Sequence, residues 1–391
     1  MKRKYKILHV ITGLRVGGAE GMLLNLLRHM DDTQFSNSVI SLKERGSIGY
    51  QLERMNVPVF YLNMKGLSSA LALWRLGRTI LSIQPDLIQG WMYHGNLYSL
   101  VMKVVTNHRC AVVWNIRRSV YDLAHLKLST QIVVRICAAL SYLPERIIYN
   151  AKVAENQHNL LGFRSTSGII IPNGFNAELF QPSPIAREKL LLELELRPES
   201  QLIGNIDRFQ PEKDHTNFLE AAAILTKSYP RAHFIMMGKD IAYENDKLMK
   251  IISKLKLRPK VYLLGERADL PGLLPALDLV TSSSFSEGFP NVIGEAISCG
   301  VPCVVTDVGA SSELVDRLGV VVPPRDAKAL ASAMAQLLDL VPSKRQELGA
   351  AARKRIQDHY QIKQIVGAYE SLYLGVLDSF EEVPIVSLEG K

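Results

Sequence analysis

Glu287-Gly288-Phe289-Pro290-Asn291-Val292-Ile293-Gly294-Glu295 follows a short apolar run at 279–282, and its reading sets the fold of the chain's second half. The apolar run reads as a buried strand, and Pro290 fits the first turn of a helix, where its missing N–H costs nothing. The unit is therefore strand, loop, helix. Glu287 stands in the loop and Glu295 two turns or fewer into the helix, so the carboxylates lie up to ~12 Å apart. That separation is too great for a shared proton and suits a grip on two ends of one extended ligand. The plainer reading makes Glu295 a solvated helix-face acid and Glu287 a loop acid steadied by the helix dipole.

The same alternation continues outward in both directions. Short runs rich in Val, Ile and Leu fall at 7–11, 38–42, 59–62, 86–89, 111–116, 146–149 and 168–171, then at 202–206, 233–237, 261–264, 279–282, 302–306 and 320–322. Longer amphipathic stretches, such as 19–30, 67–82 and 94–106, separate them. This is the signature of parallel βαβ units. The expected class is α/β, with two Rossmann-like doubly wound parallel-sheet domains in series. Ile171-Pro172-Asn173-Gly174 marks the boundary, because Pro and Asn-Gly stop a strand and turn the chain. Residues 1–172 then form an N-terminal domain and 173–361 a C-terminal one, with 362–378 a closing helix packing back toward the first domain and 379–391 a mobile polar tail.

Two further loops leave the carboxyl ends of strands, where parallel sheets collect ligands. Gly13-Leu14-Arg15-Val16-Gly17-Gly18-Ala19-Glu20 joins the first strand to the first helix. Its glycines let backbone approach a ligand, and a helix N-terminus offers N–H groups to anions. The dinucleotide pattern G-x-G-x-x-G is not matched, and a tight turn without a ligand accounts for the same residues. Asp207-Arg208-Phe209-Gln210-Pro211-Glu212-Lys213-Asp214 brings Arg208 and Lys213 to one strand-to-helix loop, and two cations there suit a diphosphate. The plainer reading is two solvated surface charges.

Composition bounds the partners. A chain of 391 residues exceeds one ordinary core, and 47% hydrophobic with 21% charged residues is usual for folded soluble proteins. No stretch approaches the ~20 apolar residues of a membrane helix. The run at 7–11 is too short for a signal-peptide core and reads as a first strand. Cys110, Cys137, Cys299 and Cys303 have neither metal-ligand nor disulfide-framework spacing, so reduced structural thiols in a cytoplasmic protein are expected. A net charge of +8 favours something anionic: a phosphorylated substrate, a membrane surface or nucleic acid. No basic stripe with interleaved aromatics supports nucleic acid, and none is expected as a partner. The first domain carries Arg109, Arg117, Arg118 and Lys127, and the stretch 126–143 mixes an apolar face with Lys127 and Arg135, as interfacial helices do. Peripheral contact with the inner face of an anionic membrane is the expectation.

Taken in order, Gly17-Gly18-Ala19-Glu20, Ile171-Pro172-Asn173-Gly174 with Phe180 and Pro182, Arg208 with Lys213, and the Glu287 to Glu295 motif resemble glycosyltransferase family 4, of the GT-B fold. The likeness runs from Lys6 to about Leu377. It implies a retaining transferase that moves a sugar from a nucleotide-diphosphate donor, most often a UDP-sugar, across an interdomain cleft. The acceptor would be a saccharide or a lipid-linked saccharide in cell-envelope polysaccharide or lipopolysaccharide biosynthesis. By this resemblance Arg208 and Lys213 hold the donor diphosphate, Glu287 the hydroxyls of the transferred sugar, and Glu295 the ribose hydroxyls. Gly265 and the backbone of Gly288, Phe289, Pro290, Asn291 and Val292 would line sugar and phosphates. Gly17 and Gly18 would close on the donor from the other domain. His94 would lie near the reacting sugar, which makes His94, Arg208, Lys213 and Glu287 the catalytic set. Taken alone, His94 is a helix-start or packing histidine.

Two departures from the family stand out. Many relatives carry a His after the strand at 111–116, whereas here Asn115-Ile116-Arg117-Arg118 follows, so Arg117 and Arg118 either contact an anionic acceptor or are surface charges. Asp207 stands where relatives usually have Gly or Ala, and it must point away from the diphosphate or pair with a nearby cation. No cofactor and no metal are expected, since the chain has no Asp-x-Asp motif and the two cations can meet the leaving charge. The competing readings are a nucleotide-sugar epimerase of the same build, an NAD-dependent oxidoreductase disfavoured by the missing glycine pattern, and a non-catalytic sugar-nucleotide-binding scaffold.

Overall fold

The computed structural model describes residues 3–64, 70–120, 123 and 127–381. The chain divides into two compact units, Met1–Gly174 with Ile362–Lys391, and Phe175–Gln361. The first crossing between them falls two residues beyond the expected boundary.

The first unit alternates β1 (Tyr5–Ile11), α1 (Gly18–His29), β2 (Phe35–Ser41), α2 (Ser47–Arg54), β3 (Val59–Tyr61), α3 (Ala70–Ile83), β4 (Leu87–Trp91), α4 (Met92–Thr106), β5 (Ala111–Ile116), α5 (Leu128–Leu140), β6 (Arg146–Tyr149), α6 (Lys152–Leu160) and β7 (Gly168–Ile170). All seven strands pair in parallel in the order β3-β2-β1-β4-β5-β6-β7. Helices cover both faces, so central strands are buried on both and largely apolar rather than alternating. Every residue of β5 is buried, Trp114 included. Ile7 and Ile11 of β1 enter the core beneath α1 and α2, while Leu8 and Val10 enter the opposite one with Leu76 and Ile80 of α3.

The second unit holds α7 (Ala186–Glu193), β8 (Gln201–Ile206), α8 (His215–Leu225), β9 (Ala232–Met237), α9 (Asp246–Lys254), β10 (Val261–Leu263), α10 (Leu270–Leu273), β11 (Leu279–Ser282), α11 (Asn291–Ser298), β12 (Cys303–Thr306), α12 (Ser311–Val315), β13 (Val320–Val322), α13 (Ala327–Leu338) and α14 (Pro342–His359). Its six parallel strands run β10-β9-β8-β11-β12-β13. Pro290 immediately precedes α11 instead of opening it, and Glu295 is the helix's fifth residue.

The last helix, α15 (Ile362–Glu381), belongs to the first unit, where Tyr369 and Tyr373 are fully buried and the Tyr373 hydroxyl donates to Gln89. It outlasts the expected end at 378. Phe380 packs against the first unit's core, with Lys103 Nζ and the Arg109 guanidinium 5.2 and 5.7 Å from its ring centre. Those contacts correct the reading of 379–381 as part of a mobile tail, and they occupy Arg109. Residues 382–391 lie outside the described residues, as do 67–69 at the start of one expected helix and Leu126 at the start of the amphipathic stretch.

Candidate functional site

Each sheet reverses its strand order once, at β1/β4 in the first unit and β8/β11 in the second. In open parallel sheets, ligands bind beyond the strands' carboxyl ends at such a reversal. In the second unit the loops leaving β8 and β11 flank that point. The first loop ends in a single 3-10 turn, Pro211–Lys213, then Asp214 at φ 46, whose carboxylate caps α8 by accepting the Asn217 N–H at 3.2 Å. Aspartate tolerates this left-handed conformation better than most residues.

Lys213, just before that cap, places its ammonium between two carboxylates. Nζ lies 2.9 Å from Asp207 and is also paired with Glu287, while only 12% of the lysine side chain is exposed. Burial disfavours the charge, but Glu287 and Asp207 outweigh it and hold the ammonium above the ordinary lysine value. Burial pushes the Asp207 carboxyl up, and Lys213 offsets part of that rise. Of the two fates open to Asp207, pairing with a cation is the one found. Arg208, on the same loop, is exposed and in no ion pair among the described residues.

Two hydrogen bonds stitch the two loops together, and a third ties the second loop to β12. Phe285 N–H donates to the Glu212 carbonyl at 2.9 Å, and Ser283 Oγ to the Lys213 carbonyl at 2.8 Å. Thr306 Oγ1, at the end of β12, donates to the Ser284 carbonyl at 2.6 Å. Ser284 Oγ in turn donates to Glu287 at 3.4 Å. Behind them Gly309 takes φ 58, and a Cβ there would overlap the Glu287 carbonyl oxygen and stand 2.7 Å from that of Gly288. Only glycine lets the backbone back the loop so closely.

Glu295 lies partly exposed on α11, with no ion-pair partner among the described residues, and burial pushes its carboxyl up to about 8. Gly288, Asn291 and Val292 are partly exposed, whereas Phe289 and Pro290 are buried, the Phe289 ring lying 6.0 Å from Phe175 and 6.1 Å from Tyr360. Phe289 can therefore offer a ligand its backbone but not its ring. No side chain caps α11. Gly265, at φ 67 beyond β10, would point a Cβ into open space.

In the first unit, Gly17 and Gly18 open α1 in the loop after β1. His94 is half-buried in the first turn of α4, whose neighbouring Gly95 runs so close to β1 that a Cβ would overlap the Val10 carbonyl. Burial, then Lys43, holds the His94 ring below the ordinary histidine value, so it is neutral at pH 7. Lys43 had no sequence signal: a lone lysine two residues past a strand looks like any surface charge.

Arg117 corrects an expectation. It is buried, and its five N–H groups are all used internally: Nε and one terminal nitrogen on Asn173 Oδ1, the other on Asn115 Oδ1 at 3.2 Å and the Tyr369 hydroxyl at 2.7 Å, with a last bond to the Ile171 carbonyl at 3.4 Å. It has no donor left for an acceptor anion and is no surface charge. Arg118 is exposed. Among the described residues no group of three or more His, Cys, Asp or Glu is placed to hold a metal, and all four cysteines are buried thiols.

Comparison with known proteins adds to this geometry. Residues 16–179 match the family described as Glycosyltransferase Family 4, and residues 187–355 the family described as Glycosyl transferases group 1. A lipopolysaccharide core biosynthesis mannosyltransferase of Rhizobium meliloti is 30% identical over 52% of the chain. A galactosyltransferase of Escherichia coli that acts from UDP-Gal on GlcNAc-diphosphoundecaprenol is 27% identical over 53% of the chain. These matches span 60% and 54% of the two relatives. The crystal structure of Anabaena HepE in complex with UDP superposes with a TM-score of 0.82 at 23% identity, over 95% of this chain and 100% of that one. At that identity the likeness speaks for the fold.

Proposed function

The chain belongs to glycosyltransferase family 4 and has the GT-B fold, and from that premise we propose that it is a retaining transferase using a nucleotide-diphosphate sugar, most simply a UDP-sugar. The observation that carries the reading is Lys213, seated between Asp207 and Glu287 at the strand reversal of the second unit, with exposed Arg208 on the same loop. Two cations at the mouth of a parallel sheet suit a diphosphate. The relatives' acceptors and the family's chemistry support a saccharide or lipid-linked saccharide acceptor in envelope polysaccharide assembly, on the cytoplasmic side where nucleotide sugars are found.

In this reading Glu295 accepts the ribose hydroxyls and Glu287 those of the transferred sugar, steadied by Ser284 and Lys213. The bond from the anomeric carbon to the phosphate oxygen breaks, and its electron pair stays on that oxygen. Arg208, Lys213 and the uncapped start of α11 meet the developing charge. The acceptor oxygen bonds to the same face of the anomeric carbon, and its proton passes to the leaving phosphate. His94, in the first unit, is neutral at pH 7 and can donate or accept a hydrogen bond. With cations in that role the reaction proceeds without a divalent metal.

The test is incubation with a panel of UDP-sugars and undecaprenyl-diphosphate-linked sugars in EDTA. Acceptor-dependent release of UDP, with a product that keeps the donor's anomeric configuration, is expected. Nucleotide release that ignores the acceptor, an epimerised sugar, or activity restored only by Mg²⁺ or Mn²⁺ contradicts it.

A further inference from the structure

The loop that follows β2 brings toward His94 a cation that the transfer step leaves unused. Leu42 N–H donates to the Ile11 carbonyl at 2.9 Å and Lys43 N–H to the Thr12 carbonyl at 3.0 Å, so this loop is tied to the one after β1. The Lys43 stem lies over Gly13, where a Cβ would stand 3.6 Å from its Cδ. Its ammonium acts on the His94 ring, the second cause after burial that keeps that ring neutral. The other two cations on these loops are taken: Arg15 pairs with Glu44, and Arg45 with Glu53 while lying 3.8 Å over the Tyr50 ring. Lys43 is exposed and in no ion pair among the described residues.

Arg118 matches it across the strand reversal. The strand order puts β2 beyond β1 on one side and β5 beyond β4 on the other, and Arg118 is the second residue after β5. It too is exposed and in no ion pair among the described residues. Burial pushes up the hydroxyl of Tyr93, in the first turn of α4, and Arg118 lies close enough to oppose part of that rise. Ser119, next to Arg118, is buried with its hydroxyl unpartnered among the described residues, a group that a ligand oxygen can satisfy. Between the two cations α4 begins without a side-chain cap, and its first residue, Met92, takes φ 60. A non-glycine residue is strained there, and such strain clusters at ligand sites. The carboxylates on these loops are committed, Glu44 to Arg15, and Glu20, at the start of α1, folded back over Gly17.

Two separated cations with uncapped helix N–H groups between them suit an anion with several oxygens and more than one charge. A phosphoryl group fits that description better than a carboxylate, and a neutral sugar would gain nothing from either cation. His94 cannot supply the charge itself, being neutral at pH 7. We propose that the β1/β4 reversal of the first unit binds a phosphoryl group of the acceptor, with Lys43 and Arg118 on either side of the start of α4. The acceptor is then a sugar phosphate or a sugar joined to a lipid through phosphate. This deepens the transferase reading and rests on it only for the word acceptor, since the anion site is a property of the first unit alone.

Imidazole NMR of the full chain, with the His94 signal identified by its loss in His94→Gln, reads the anion site without turnover. Glycerol 3-phosphate should raise the titration midpoint of His94, because an anion beside the ring favours imidazolium, and glycerol should not. Lys43→Met should raise that midpoint in the free protein, a cation having been removed. Lys43→Met with Arg118→Met should weaken glycerol 3-phosphate at least about tenfold. Both side chains are exposed, so the double variant should keep the wild-type unfolding temperature. Turnover then separates the sources of the phosphoryl group, comparing a methyl glycoside, the 1-phosphate and the undecaprenyl-diphosphate-linked form of one sugar. At least one phosphoryl acceptor should have a KM about tenfold or more below that of the methyl glycoside, an advantage the double variant loses. A His94 midpoint indifferent to glycerol 3-phosphate, a double variant that binds it like wild type, or a methyl glycoside used as well as the phosphoryl acceptors would each overturn the proposal. Absence of turnover with every acceptor, with the His94 response intact, would count against the transferase reading and leave the anion site supported.

Discussion

Lys213 Nζ stands 2.9 Å from Asp207 Oδ1, so the cation assigned to the donor diphosphate already shares its charge with a carboxylate. Glu287 holds it from the other side. Where the family resemblance leads one to expect Gly or Ala, this chain has a competitor for the phosphates. Asp207→Ala should therefore tighten UDP binding, by on the order of tenfold for one removed charge near the diphosphate. Lys213→Ala should do the reverse, costing about 2–4 kcal/mol in the transfer step and leaving two carboxylates facing each other. Titration calorimetry on both variants decides the matter: weaker UDP binding by Asp207→Ala would mean that the carboxylate positions Lys213 instead of competing for it.

Glu295 carries a pH signature. Its carboxyl titrates at about 8 in the folded chain, raised by burial from 4.5. The folded state thus keeps a proton that the unfolded state gives up, and the stability this contributes is fully present below about 4.5 and lost as pH rises through about 8. Glu295→Gln cannot lose that proton, so the gap in thermal midpoint between variant and wild type should move in the variant's favour across this window. UDP affinity should respond oppositely, because the ribose hydroxyls need an ionised acceptor. It should rise with pH up to about 8 in wild type and stay flat in the variant. A parallel pH dependence of UDP affinity in both proteins would remove Glu295 from the ribose.

How far the sequence led is clearest at these residues. The thirteen strands among the described residues were legible because parallel strands buried on both faces read as runs rich in Val, Ile and Leu; four of them, 111–116, 146–149, 279–282 and 320–322, have the bounds the pattern suggests, and six more differ by one residue at one end. Helix α2 was not legible, its eight residues being too few to establish a period. The site's charges were visible as residue types, but not their pairing. That Lys213 sits between residues 207 and 287 depends on which strands are neighbours, and β8 beside β11 is set by crossover topology rather than local pattern. Arg117 shows the converse: a cation after a strand reads as a surface charge, and only the return of α15 to the first unit supplies the Tyr369 hydroxyl that helps to bury it.

Arg117 should behave as a structural residue. It spans Asn115 on β5, Asn173 just before the chain leaves the first unit, and Tyr369 on the helix that returns. Arg117→Ala would strand those buried partners, at a cost of about 3 kcal/mol or more, and Tyr369→Phe about 1–2 kcal/mol. Urea unfolding would record both losses. An Arg117→Lys protein with wild-type stability but a raised acceptor KM would restore Arg117 to the acceptor site.

The central claim is that the second unit holds a nucleoside diphosphate through Arg208 and Lys213, and calorimetric titration of the full chain with UDP, GDP and ADP tests it most directly. One of the three should bind, and the Arg208→Ala, Lys213→Ala double variant should lose at least about thirtyfold in affinity, roughly 2 kcal/mol, at low and at moderate salt. Binding of none of the three, or a double variant that binds as tightly as wild type, would contradict the account.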